Sequence, residues 1–170
     1  FGEAHSALTG ALAGEELGYG DLPIALYLLA PNLFGIPILH CGTEDQKKKW
    51  LPKLTDADFL PATAALIEPR WDFSPYALST TAERAQNSYV LNGHKAYVPL
   101  AAEAQAMLVY AREGGATQAF IVEKGASGVT VLEREKHMGL RGLPTYEVKL
   151  EDVRVPRDAR LGGENGCNSE

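Results

Sequence analysis

Cysteine and histidine are scarce in this sequence of 170 residues, and their scarcity narrows the chemistry that the chain can carry. The only cysteines are Cys41 and Cys167, and four histidines are spread along the chain. Neither type has the close spacing of a metal site, and no CxxC pair, Ser-His-Asp order or phosphate-binding P-loop is present. Two distant cysteines are typical of a reduced intracellular protein, so we expect both to be reduced.

Positive charge is also in short supply. Lys and Arg number 16 against 22 Asp and Glu, which leaves a net charge of -6. A nucleic-acid-binding surface normally needs a clustered basic excess, so we expect no nucleic-acid partner. The chain begins at Phe1 without a basic-then-apolar leader, and we expect it to be cut from a longer protein.

One stretch lacks charged residues altogether. Residues 22–43 contain no Lys, Arg, Asp or Glu, and an apolar run of that length can span a membrane. Three prolines, Pro23, Pro31 and Pro37, interrupt it. The prolines favour two short buried helices that separate near Pro31 over one continuous span. We therefore expect no membrane insertion.

The apolar pattern divides the rest of the chain into a helical part and a β part. Residues 3–18 have helical spacing, Asp21 is placed to cap the next helix, and Thr43-Glu44-Asp45-Gln46 has the form of a capping box. After residue 58, short β-rich runs alternate with turn residues, which predicts strands. The predicted strands are 60–67, 78–85, 88–98, 105–111, 117–123, 128–134 and 145–151.

The predicted fold class is therefore α+β, with N-terminal helices followed by an antiparallel β-barrel or two packed sheets of about seven strands. We expect a partial helical domain at residues 1–58, a β-domain at 59–160 and a linker to a further domain at 161–170. Within 88–98, Asn92-Gly93 suits the positive φ angles of a type I′ turn, so a hairpin is predicted there.

Seven motifs, in one order, resemble those of the acyl-CoA dehydrogenase family. Each motif is weakly specific by itself, whereas their shared order and spacing are strongly specific. They are EELGYG at 15–20, GTEDQKKKWLP at 42–52, Glu68-Pro69, YVLNGHK at 89–95, AFIVE at 119–123, MGLR at 138–141 and EDVRVP at 151–156.

The resemblance implies a subunit with an N-terminal helical domain, a middle β-domain and a C-terminal four-helix bundle. It implies that flavin adenine dinucleotide (FAD) lies between the β-domain and the bundle, and that hydrogens are removed from the α and β carbons of an acyl-CoA thioester. The family's catalytic glutamate usually lies in the bundle, so no catalytic residue is expected in this chain. A homo- or hetero-oligomer in the cytoplasm, or in the mitochondrial matrix of a eukaryote, is also implied.

By register with the family motifs, the residues expected to contact the cofactor are Leu66, Ile67, Tyr97, Val98 and Pro99. Phe73 falls where the family places a residue near the substrate. Ile67 and Pro99 replace threonines of the family pattern and bring no hydroxyl, and Pro99 also lacks a backbone N–H.

Asp72 and Phe73 replace a Gly-Ser pair that the family places near the pyrophosphate and the substrate. The Asp72 carboxylate would repel phosphate, and the Phe73 ring would fill space that a small residue leaves open. These departures lead us to expect FAD in the parent protein but weak or absent FAD binding by this segment alone. The alternative is a non-catalytic family member, or a partner subunit, used for assembly or acyl-CoA binding. Glu68, beside Pro69 at a strand end, is expected to be structural.

Overall fold

Four α-helices precede the sheet in the computed structural model, which describes residues 7–56 and 60–166. They are α1 (Ala7–Gly20), α2 (Leu22–Leu29), α3 (Asn32–Cys41) and α4 (Glu44–Trp50). The predicted helix start at residue 3, the predicted domain boundary between residues 58 and 59, and Cys167 lie outside the described residues. The predicted order, helices first and strands second, is confirmed.

Side-chain caps begin two of these helices, as the sequence predicts. Asp21 accepts a hydrogen bond of 2.9 Å from the Ile24 backbone N–H at the start of α2. At the start of α4, Thr43 and Gln46 form a complete capping box, in which each side chain accepts a hydrogen bond from the other's backbone N–H. Each such cap satisfies amide donors that a helix leaves unpaired at its first turn.

The uncharged stretch forms two helices, α2 and α3, that separate at Ala30 and Pro31. The run Leu22–Cys41 is long enough and, with a mean hydropathy of 1.8, apolar enough to cross a membrane. Core helices of soluble proteins and signal sequences have the same length and hydropathy. Phe34 and Ile38 of α3 are fully buried, and the Phe34 ring meets the Trp50 ring edge-on with centroids 5.3 Å apart. The absence of membrane insertion stays a prediction.

Seven strands follow and form one curled mixed sheet, a half-barrel rather than a closed barrel. Along this path the order is β1-β4-β2-β3-β7-β6, and β5 lies off the path and pairs with β4. The strands are β1 (Ala62–Ala65), β2 (Thr81–Ala85), β3 (Ser88–Pro99), β4 (Ala106–Glu113), β5 (Ala116–Glu123), β6 (Val129–Arg134) and β7 (Thr145–Pro156).

The sheet is not wholly antiparallel, because β4 runs parallel to β1 along four residue pairs and to β2 at one. Parallel neighbours need a crossover connection, which β2 and β3 provide between β1 and β4. The seven predicted strands all overlap observed ones. The parallel pairing of β4 with β1 and β2 could not be predicted, because the sequence pattern locates each strand but not its neighbours in the sheet.

The predicted hairpin at Asn92-Gly93 is wrong. β3 runs through these residues as one strand with a register shift against β7, and the turn into it lies at Gln86 and Asn87. The Asn92 side chain instead joins β7, donating to the Asp152 carboxylate at 3.1 Å and accepting from the Asp152 N–H at 2.8 Å. Asn92-Gly93 therefore marks an irregularity inside a strand.

The expectation of two reduced cysteines is also wrong. Cys41, the last residue of α3, takes part in a disulfide and is not a free thiol. Local spacing could not reveal this bond, because a disulfide depends on which Cα atoms the fold brings together.

Candidate functional site

A cavity of about 430 Å³ lies between α3 and the sheet, within the usual size range of small-molecule sites. Four of the five residues predicted to contact a cofactor line it, namely Leu66, Ile67, Tyr97 and Pro99. The fifth, Val98, does not, because its side chain is 1% exposed in the core. The other lining residues are Asn32, Leu33, Ile36, Pro37, Ala64, Ala96 and Tyr110.

An irregularity in β3 turns Tyr97 toward the cavity. The register between β3 and β7 shifts between Lys95 and Val98, and Tyr97 has a φ of 53°, which is rare for a residue other than glycine. This bulge lets Lys95 and Val98 be buried while the Tyr97 side chain stays 54% exposed. The aromatic face of Tyr97 is thus available to a ligand.

A buried ion pair holds the two halves of the cavity wall together. The Lys95 ammonium, 0% exposed, donates to the Leu66 carbonyl at 3.1 Å and to the Glu68 carboxylate at 3.2 Å. The Ala96 backbone N–H donates to the Ile67 carbonyl at 2.9 Å. Because these bonds connect the segment after β1 to the end of β3, they set where Leu66 and Ile67 face Tyr97.

The Glu68 carboxylate is negative in its buried position. Burial by itself raises its pKa, but hydrogen bonds from the backbone N–H groups of Ser79 and Thr80, at 2.7 Å each, and the Lys95 charge lower the pKa to about 2. Burial lowers the pKa of the Lys95 ammonium to about 8, and Glu68 raises it part of the way back. Both groups are therefore charged at neutral pH, and the structural role expected of Glu68 stays a prediction.

The loop between β1 and β2 carries the remaining predicted residue. Phe73 is half-buried there and does not line the cavity. Arg70 lies between two carboxylates, with its Nε 3.8 Å from Glu68 and 3.7 Å from Asp72, and its other nitrogens donate to the Ser79 hydroxyl and the Ala77 carbonyl. The negative charge of Asp72 is thus partly balanced by Arg70.

Sequence reasoning missed the α3 wall and Tyr110. Leu33, Ile36 and Pro37 lie three and four residues apart, a spacing that places them on one face of a helix and could have indicated a shared surface. No local signal singles out Tyr110, which enters the cavity because β4 lies beside β1.

The cavity is suited to binding an apolar group and not to proton transfer. No Asp, Glu, His, Lys or Arg is among its lining residues, and the described part of the chain holds no cluster of potential metal ligands. Its polar groups are the hydroxyls of Tyr97 and Tyr110 and the amide of Asn32. The exposed Tyr97 ring could lie against a flavin ring here, although Ile67 and Pro99 offer it no side-chain hydrogen bond.

Comparison with known families matches two family profiles to most of the chain. The profile described as acyl-CoA dehydrogenase, N-terminal domain, matches residues 2–58. The profile described as acyl-CoA dehydrogenase, middle domain, matches residues 63–153.

Two curated relatives are similar to the chain over most of its length. A probable medium-chain specific acyl-CoA dehydrogenase 2, mitochondrial, from Caenorhabditis briggsae is 34% identical, with 95% of this chain and 41% of the relative covered. The short-chain specific acyl-CoA dehydrogenase, mitochondrial, from Homo sapiens is 36% identical, with 89% and 38% covered. The chain thus spans about two fifths of the length of these relatives.

A solved structure shares the architecture. The glutaryl-CoA dehydrogenase from Mycobacterium smegmatis, solved in complex with FADH2, is 30% identical and superposes with a TM-score of 0.82, covering 88% of this chain and 39% of that one.

Proposed function

The chain belongs to the acyl-CoA dehydrogenase family, and from this membership we propose that it supplies the helical and β parts of a flavin-dependent oxidoreductase. The reaction is the removal of one hydrogen from the α carbon and one from the β carbon of an acyl-CoA thioester. The observation that carries the proposal is the cavity between α3 and the sheet, which gathers Leu66, Ile67, Tyr97 and Pro99 on one surface.

The residues of this chain bind and orient; they do not transfer protons. Tyr97 offers its ring face, Leu66 and Ile67 form an apolar wall, and the Glu68–Lys95 pair keeps that wall in place. The α3 residues Leu33 and Ile36 form the opposite, apolar side of the cavity. Bound FAD would supply the acceptor for the hydride from the β carbon. The base that takes the α proton lies outside this chain.

The same proposal covers the organisation of the protein. Residues 1–58 and 59–160 belong to separate helical and β-domains, and residues 161–170 connect them to a C-terminal helical bundle that completes the FAD site. We propose a homo- or hetero-oligomer that binds acyl-CoA but neither nucleic acid nor membrane. It is cytoplasmic in a bacterium or mitochondrial in a eukaryote.

A second candidate function is a non-catalytic family member that binds acyl-CoA or assembles with an active partner. The apolar side chains at Ile67 and Pro99 favour it, because neither can donate a hydrogen bond to a flavin. One missing hydrogen bond to a ligand costs about 1 kcal/mol, so two missing bonds weaken FAD binding without excluding it.

Flavin content and flavin reduction by substrate distinguish the two functions. The parent protein is purified, its visible flavin absorbance is measured, and saturated acyl-CoA thioesters are added without oxygen. The proposed dehydrogenase retains FAD, and its visible band bleaches on addition of the substrate. The matching 2-enoyl-CoA is the control, because it has already lost these hydrogens and leaves the band unbleached.

Binding of acyl-CoA without FAD, or with FAD that never bleaches, would instead identify the non-catalytic member. Residues 1–170 expressed alone are expected to hold FAD weakly or not at all. A stoichiometric flavin in that preparation contradicts the expectation.

A further inference from the structure

Tyr110 is a polar residue in the apolar cavity for which the fold provides no partner. It lies on β4 and lines the cavity with its side chain half-buried. Among residues 7–56 and 60–166, no group hydrogen-bonds its hydroxyl. A tyrosine hydroxyl at the wall of an apolar cavity, with no partner inside the protein, is available to a ligand that fills the cavity.

The strand register places Tyr110 beside the predicted cofactor residues. β1 and β4 are parallel, and Ala65 pairs with Val109. The residues that follow this pair are Leu66, after β1, and Tyr110, on β4, and both line the cavity. The Tyr110 side chain therefore belongs to the same cavity lining as Leu66 and Ile67, although it comes from a different strand.

The other hydroxyl of the cavity is less suited to hold a ligand by hydrogen bonding. The Tyr97 side chain is 54% exposed, so water competes for its hydroxyl, and its ring lies near the His137 ring with centroids 5.8 Å apart. Burial raises the pKa of the Tyr110 phenol above its ordinary value of 10.0, which keeps the phenol protonated, and so a donor, at neutral pH.

We propose that the Tyr110 hydroxyl donates a hydrogen bond to the flavin ring in this cavity and replaces the donors that Ile67 and Pro99 cannot supply. The inference rests on the proposed function, since it takes FAD as the occupant. A ring carbonyl or ring nitrogen is the chemical group that accepts such a bond. Tyr110 is thereby a cofactor-binding residue that sequence position alone does not reveal.

The test compares two variants that each remove one hydroxyl. Tyr110→Phe removes the hydroxyl in the cavity, whereas Tyr146→Phe removes a hydroxyl that donates to Glu103 at 3.3 Å outside it. The parent protein and both variants are stripped of FAD and titrated with it, and the spectrum of the bound flavin is recorded. Tyr110→Phe is expected to bind FAD roughly three- to tenfold more weakly and to shift the flavin band.

Tyr146→Phe is expected to match the unmodified protein in affinity and spectrum. Equal FAD affinity and an unshifted band in Tyr110→Phe overturn the inference, as does an equal loss in both variants. A parent protein that binds no FAD refutes the proposed function as well, so the two failures are distinguishable. A fluorinated tyrosine at position 110, whose phenol is more acidic, should make FAD affinity fall at alkaline pH, and an unchanged pH profile also counts against the inference.

Discussion

Glu68 keeps its negative charge inside the protein because three hydrogen-bond donors surround its carboxylate. They are the backbone N–H groups of Ser79 and Thr80 and the Lys95 ammonium. The first two close the loop between β1 and β2, and the third reaches the wall of the cavity. One buried residue thus connects loop closure to the shape of the candidate site.

The pKa of Glu68 predicts a specific acid sensitivity. Its pKa is about 2 in the folded protein against an ordinary 4.5, so the unfolded chain binds the proton more readily. The carboxylate therefore contributes its stabilisation in full above pH 4.5 and loses it as the pH falls toward 2. Urea unfolding should show that the free energy of unfolding falls by on the order of 3 kcal/mol across this pH range because of Glu68.

Glu68→Gln is expected to lack that part of the pH dependence. The control is Glu133→Gln on the exposed side of β6, which should keep the slope of the unmodified protein. If Glu68→Gln and the unmodified protein lose stability in parallel between these pH values, the assigned charge state of Glu68 is wrong.

At the scale of elements, β3 depends on a close approach at Gly93. A Cβ atom added there would lie 2.4 Å from the Thr80 Oγ1 and 2.6 Å from the Thr80 Cβ, closer than real Cβ contacts. Thr80 is fully buried, so neighbouring atoms restrict its movement. The irregularity at Asn92-Gly93 therefore lets β3 pass beside Thr80 while Asn92 bonds β7.

Gly93→Ala is expected to destabilise the fold by about 1 to 3 kcal/mol, because the methyl group forces β3 away from Thr80. Gly139→Ala is the matched control, since nothing lies within 4 Å of a Cβ added at Gly139. Thermal unfolding of both variants measures the difference. Equal melting temperatures for the two would show that Thr80 yields to the added methyl group.

At the scale of the whole molecule, Gln46 joins the helices to the end of the β region. Its amide nitrogen donates to the carbonyls of Asp158 at 2.7 Å and Arg160 at 2.8 Å. Its amide oxygen accepts from the N–H groups of Thr43 at 3.0 Å and Gly162 at 3.2 Å. The side chain is 6% exposed and fully hydrogen-bonded, so one residue both caps α4 and holds the segment after β7.

Gln46→Glu should loosen this connection while keeping the size of the side chain. The amide nitrogen that donates to two carbonyls is replaced by a carboxylate oxygen, which cannot donate to them. We expect the free energy of unfolding to fall by about 2 to 5 kcal/mol. Hydrogen exchange should rise at residues 158–162 before the strands open. The control is Gln105→Glu, because within the described part of the chain the exposed Gln105 amide donates only to the Glu103 carbonyl, at 3.3 Å. This variant should leave the free energy of unfolding and the hydrogen exchange unchanged.

The sequence by itself determined the features that depend on near neighbours. The caps at Asp21 and Thr43, the break near Pro31 and the approximate positions of the seven strands are all confirmed. Such signals act within a few residues, because a capping side chain or a proline constrains only the adjacent backbone. The family motifs added the register that singled out Leu66, Ile67, Tyr97 and Pro99.

Only the tertiary structure decided which strands pair and which distant residues come into contact. It placed β1 parallel to β4, turned the supposed hairpin into a strand irregularity, and brought Tyr110 into the cavity with α3. Lys95 and Leu66, which share a hydrogen bond, are 29 residues apart in the chain. The energy of such contacts comes from burial and pairing between distant segments, which local residue patterns do not encode.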